Sequence, residues 1–117
     1  MKEHEIEKAK SHNLIDLIEY VPNSVVFKTI MQKTTGIVSI VAIDKGEILA
    51  EKISPFDIFI QIIDGKADII IDEESNLLNT GEAIIIPAHL SHFVIANVRF
   101  KMISTIIKSG YEEAIFF

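Results

Sequence analysis

The chain has 117 residues, 49% of them hydrophobic and 24% charged, and a mean hydropathy of +0.34. That length suits a single domain, and that composition excludes a disordered chain while leaving room for an apolar surface that favours self-association. A net charge of −6 without any basic cluster argues against nucleic acid as a partner, and the absence of cysteine excludes disulfides and thiolate chemistry.

The first ten residues, MKEHEIEKAK, are charged throughout and lack the apolar core of a secretory signal. No apolar run approaches the ~18 residues that a membrane span needs. A cytoplasmic protein with no membrane partner is the expectation, and no separate DNA-binding unit is expected within these residues. Asn13 can cap a short helix with Leu14, Leu17 and Ile18 as its apolar stripe, and Pro22 prevents that helix from running on. It is expected to cover one end of the β-structure that follows.

From residue 24 onward, the runs SVVFKTIM, IVSIVAI, DIFIQII, ADIII, AIIIP, FVIA and FKMISTII are rich in the residue types that suit a pleated, half-buried surface. Gly36, Gly46, Gly65, Gly81 and Gly110 lie at the boundaries, where turns are needed. Short strands at this spacing predict an all-β sandwich or barrel. Asp64-Gly65 between Ile58–Ile63 and Lys66–Ile71 predicts a two-residue hairpin. The first arm is apolar on both faces, so a second layer or a partner subunit must cover Phe59, Gln61 and Ile63. The closing segment YEEAIFF, with Ile115, Phe116 and Phe117, is expected either to pack on the core or to form an interface.

Two segments, GEILAEKISPFDIFIQIIDG at 46–65 and GEAIIIPAHLSHFVIAN at 81–97, share a recognisable grammar of glycine, proline, histidine and asparagine. They resemble the two conserved motifs of the cupin superfamily, with Gly46, Gly65, Gly81, Pro87, His92 and Asn97 at or next to the motif positions. LIEYVPNSVVFKTIMQKTTG is similar to the opening strands of small single-domain bacterial cupins. The resemblance covers residues 1–117 and implies an all-β cupin domain, a double-stranded β-helix or jelly-roll barrel of two antiparallel sheets with a short N-terminal helical segment.

Cupins hold a divalent metal with two histidines and a glutamate of the first motif and a histidine of the second. The resemblance puts Lys52, Ser54 and Ile58 at the first three of those positions and leaves only His92 as a ligand. Deprotonating a lysine for ligation costs about 5 kcal/mol at pH 7 from an ordinary pKa of about 10.4. Serine is a poor neutral ligand and isoleucine is none, and protein sites for zinc or iron use three or four side chains. His89 does not replace the missing ligands, because residues three apart in a strand or tight turn point in opposite directions. No metal and no cofactor is therefore expected at the family position.

A barrel without its metal still has an interior that can hold one small ligand. The resemblance places Lys52, Ser54, Ile58 and His92 on that interior, with Ile60, Ile62 and Met102 as apolar walls. One cation, one hydroxyl and one imidazole in an apolar cavity suit a small polar or acidic molecule. The leading expectation is a metal-free, homodimeric cupin that binds such a molecule. The alternatives are an isomerase- or epimerase-like enzyme with His92 as general base and Lys52 stabilising an anion, a metal-dependent enzyme using non-family ligands that include His92, and a barrel filled by its own side chains. Pro55, Phe56 and Asp57 read as a structural turn in which Asp57 bonds nearby backbone amides.

Overall fold

The computed structural model describes residues 5–109, so the segment YEEAIFF and its expected packing lie outside the described residues. Among the described residues, eight antiparallel strands follow one short helical turn: β1 Val25–Lys33, β2 Gly36–Ile43, β3 Ile48–Ile53, β4 Ile58–Ile71, β5 Glu74–Asn79, β6 Ala83–Ile86, β7 Ser91–Ile95 and β8 Phe100–Ile107. One sheet runs β1-β2-β8-β4-β6, and the other runs β5-β4-β7-β3, so β4 belongs to both. Inward residues of both sheets, among them Val41, Ile60, Met102, Ile69 and Val94, form one buried core between them.

β4 corrects the expected hairpin at Asp64-Gly65. It runs through all 14 of its residues without reversing, and its pairing with β8 slips by one residue between Ile62 and Asp64. The slip is a bulge, which bends the strand so that its first half pairs with β6 and β8 and its second half with β5 and β7. Gly65 is required there: its φ is +81°, and a Cβ would lie 2.3 Å from the Arg99 carbonyl oxygen. The true reversal after β4 comes at Asp72-Glu73, both with positive φ. β3 and β5 are absent from the strand-like runs of the sequence because both are edge strands. Their charged and polar residues, such as Glu51, Lys52, Ser75 and Asn76, mask the apolar pattern.

The N-terminal segment also differs from expectation. Leu14–Leu17 is a single 3-10 turn capped by Asn13, whose side chain accepts a hydrogen bond from the Ile15 N–H at 3.3 Å. It lies over the outer face of the first sheet and does not close the barrel end. Ile18 and Leu17 pack there with Ile40, Ala42, Ile103 and Ile63, which supplies the cover that the second face of β4 needs at Ile63. Leu14 is exposed and takes no part in a stripe. A polar latch fixes the segment: the Tyr20 hydroxyl donates to Asp64 at 2.7 Å, and the buried Lys101 ammonium donates to the Ile15 carbonyl at 2.6 Å. Arg99 and Lys101 both stand over the Tyr20 ring, 4.4 Å and 4.9 Å from its centroid. Burial, reinforced by the Asp64 carboxylate, raises the Tyr20 pKa well above its ordinary value. Among the described residues, no helix is long and apolar enough to cross a membrane.

Candidate ligand-binding site

Between the inner faces of the two sheets lies a cavity of about 250 Å³. Phe27, Lys52 and Ile53 line it while being exposed, which marks the mouth. Val41, Ile86, Val94 and Met102 are no more than 2% exposed and form the closed end. The barrel is therefore open enough to hold a small molecule.

Two polar pairs interrupt these apolar walls. In the second sheet, Lys52 of β3 stands directly opposite His92 of β7, and the preceding aligned pair is Leu49 with Val94. β3 thus carries one residue more than β7 over this interval, a bulge that turns Lys52 toward the cavity. Glu51, displaced from that position, bonds the Ser91 hydroxyl instead. In the first sheet, Ser39 of β2 stands opposite Ser104 of β8, and both line the cavity. The sequence reading missed these serines. The signal was present: Ile37, Ser39, Val41 and Ile43 share one face of β2, and a serine in such an inward row is a polar group turned toward the core.

His92 is 7% exposed, and its Nδ1 has no hydrogen-bond partner among the described residues. Burial lowers its pKa from the ordinary 6.5, the Leu90 backbone partly opposes this, and the charge of Lys52 lowers it further. The imidazole is neutral at pH 7, with one nitrogen able to donate and the other to accept. Lys52 forms none of the ion pairs among the described residues, and no aspartate or glutamate lines the cavity.

Of the residues singled out in the sequence, Lys52, Ser54, Ile58, Ile60, His92 and Met102 all line this cavity. Ile62 does not. It is 1% exposed, opposite Met102 and one step before the β4 corner, where it packs in the same core cluster as Ala67 and Phe100. Ser54 lines the wall, but its hydroxyl is engaged in a tight turn, accepting from the Phe56 N–H and donating to the Phe56 carbonyl, each at 3.0 Å. Asp57 accepts from the Ala88 N–H at 2.8 Å, tying this turn to the loop before β7. His89 is exposed, with a φ of +73°, and is not among the residues that line the cavity. Its backbone N–H donates to the Ser54 carbonyl at 2.7 Å.

The donors at the four family metal positions are an ammonium, an engaged hydroxyl, an alkyl chain and one imidazole, a set that does not fit a divalent cation. Among the described residues, no group of three or more histidine, cysteine or acidic side chains is arranged to hold a metal ion.

Compared with family models and with curated proteins, the sequence matches none. Solved structures do match. A conserved protein of unknown function from Streptococcus pyogenes superposes with a TM-score of 0.86 at 27% identity, over 94% of this chain and 97% of that one. A cupin superfamily protein from Desulfitobacterium hafniense gives 0.84 at 24% identity, over 93% of this chain and all of that one, 100%. A cupin 2 conserved barrel domain protein from Leptotrichia buccalis gives 0.80 at 28% identity, over 83% of this chain but 47% of its own, longer chain. The two-sheet barrel described above is a cupin barrel. The fold is of the cupin type.

Proposed function

We propose that this cupin barrel binds a small polar or acidic molecule in its cavity without a metal at the family position. One observation carries the reading: an open apolar cavity in which an unpaired ammonium and a neutral, incompletely bonded imidazole stand side by side, with no acidic residue in the lining. Lys52 supplies charge to an anion, and His92 supplies a directional hydrogen bond. Metal-free status is supported by the donor set at the family positions. The proposal includes a homodimer, in keeping with the apolar composition and with the exposed Phe59 and Ile85, which are adjacent on β4 and β6.

The test is titration calorimetry with straight-chain monocarboxylates from acetate to hexanoate, on wild type and on Lys52→Met, alongside elemental analysis of the wild type. Binding that weakens by about ten-fold or more in Lys52→Met is expected, as loss of a charge-assisted hydrogen bond predicts. Equal affinity in both proteins sinks the role of Lys52, and near-stoichiometric metal that disappears in His92→Ala sinks the metal-free reading.

A second reading gives His92 the role of general base, with Lys52 stabilising the anion formed. The neutral buried imidazole favours it. The unpartnered Nδ1 weighs against it, because no carboxylate orients the ring.

A further inference from the structure

Resting on the reading of the cavity as a binding site for a small acid, a further property follows from the residues on its opposite wall. Ser39 and Ser104 face each other across β2 and β8, between the outer pair Ile37 and Ile106 and the buried pair Val41 and Met102. Neither hydroxyl has a hydrogen-bond partner among the described residues. Lys52 and His92 stand on the other sheet, where the His92 Nδ1 is likewise unpartnered. Two sets of polar groups without protein partners thus line facing walls, with Ile58, Ile60, Ile86 and Phe93 among the lining around them.

Half-buried donors and acceptors left unpaired are costly, so they are met by water or by a ligand that matches them. The apolar lining disfavours a molecule that is polar along its whole length, such as a sugar, because its hydroxyls would lose water and find no partner there. The walls also differ in kind. A cation beside an imidazole selects a negative charge, whereas a pair of serines offers neutral donors and acceptors and selects an uncharged oxygen. A cavity of about 250 Å³ limits the ligand to a small molecule.

We infer that the ligand is a short-chain carboxylic acid carrying a second, uncharged oxygen at its far end, with the carboxylate held by Lys52 and His92 and the distal hydroxyl or keto oxygen held by Ser39 and Ser104. The serine pair therefore sets specificity between acids that the cationic wall alone does not distinguish.

Calorimetric titration of hexanoate and 6-hydroxyhexanoate into wild type and into the double variant Ser39→Ala, Ser104→Ala tests this. In wild type the hydroxy acid is expected to bind about 3- to 10-fold tighter, the range for one added neutral hydrogen bond, and the ratio is expected to fall to near one in the double variant. Hexanoate affinity in the variant serves as the check on its fold, and each single variant provides a milder version of the same comparison. Equal binding of the two acids by wild type, or a preference that survives loss of both hydroxyls, overturns the serine assignment and leaves the acid-binding reading intact. If wild type binds neither acid, both fail.

Discussion

Lys52 reaches the cavity because of a single extra residue in β3. A regular ladder continuing from the Leu49–Val94 pair would set Glu51 opposite His92, placing a carboxylate beside the imidazole where the protein has an ammonium. The local sequence lists both charges side by side and does not say which one faces inward, so the cavity's charge was legible only through the family resemblance. The same holds for Ser54: its place on the wall could be carried over from the motif, but its engagement with Phe56 depends on the turn. Ser39 and Ser104 are the reverse case, readable from strand alternation yet overlooked beside the motif residues.

The environment of His92 also makes a pH-dependent prediction. In the unfolded chain the ring takes up its proton near pH 6.5, whereas the folded protein, with its lowered pKa, resists doing so until lower pH. Below about 6.5 the unfolded state therefore binds more protons, and stability falls as pH drops from there toward the folded value. No contribution of this kind exists above that range. Melting temperatures of wild type and His92→Gln measured between pH 8 and pH 5 should diverge in slope only on the acidic side. Parallel curves would mean that the imidazole is as free to charge in the folded protein as in water.

At the scale of elements, the corner in β4 is the feature that sequence rules misassigned. Asp-Gly between two apolar runs is the usual mark of a two-residue turn, because glycine there takes a positive φ, and Gly65 does take one, +81°. What the local pattern lacks is the partner: Gly65 lies against Phe100 of β8, where a bulge demands the same φ and the same missing side chain. Gly65→Ala must strain the backbone and also drive a Cβ into the Arg99 carbonyl, so a loss of about 3 kcal/mol or more is expected in denaturant unfolding. Gly46→Ala is the control. It has a φ of +89° but nothing within 4 Å of the added carbon, and should cost only about 1–2 kcal/mol. Equal losses for the two would show that crowding at the corner is relieved by small movements of β8.

Considered as a whole molecule, the barrel leaves a row of side chains on its outer surface. Cross-strand pairing aligns Met31, Val38, Thr105, Phe59 and Ile85 across five strands, and Met31, Phe59 and Ile85 are 48%, 39% and 59% exposed. The proposed homodimer uses this row. Sedimentation of the double variant Phe59→Glu, Ile85→Glu is expected to give a monomer where wild type gives a dimer. A wild type that sediments as a monomer at micromolar concentration rejects the dimer outright. Fold class was legible in the sequence because glycine spacing and β-rich runs are local, whereas the sheet order was not, since it depends on pairings between distant strands.

That order governs how the chain can reach its native state. β8, the last of the described strands, lies between β2 and β4, and its first pairing joins Ile43 to Phe100. On the ribosome, β2 and β4 emerge with unsatisfied edges and have no alternative native neighbour on that side until Ile107 has been made. Such long-range closure is slow, in the range of milliseconds to seconds, and the waiting edges are open to pairing with other nascent chains. The yield of folded protein in the cell is therefore expected to rise with chaperone supply, which shields the waiting edges of β2 and β4 until β8 arrives.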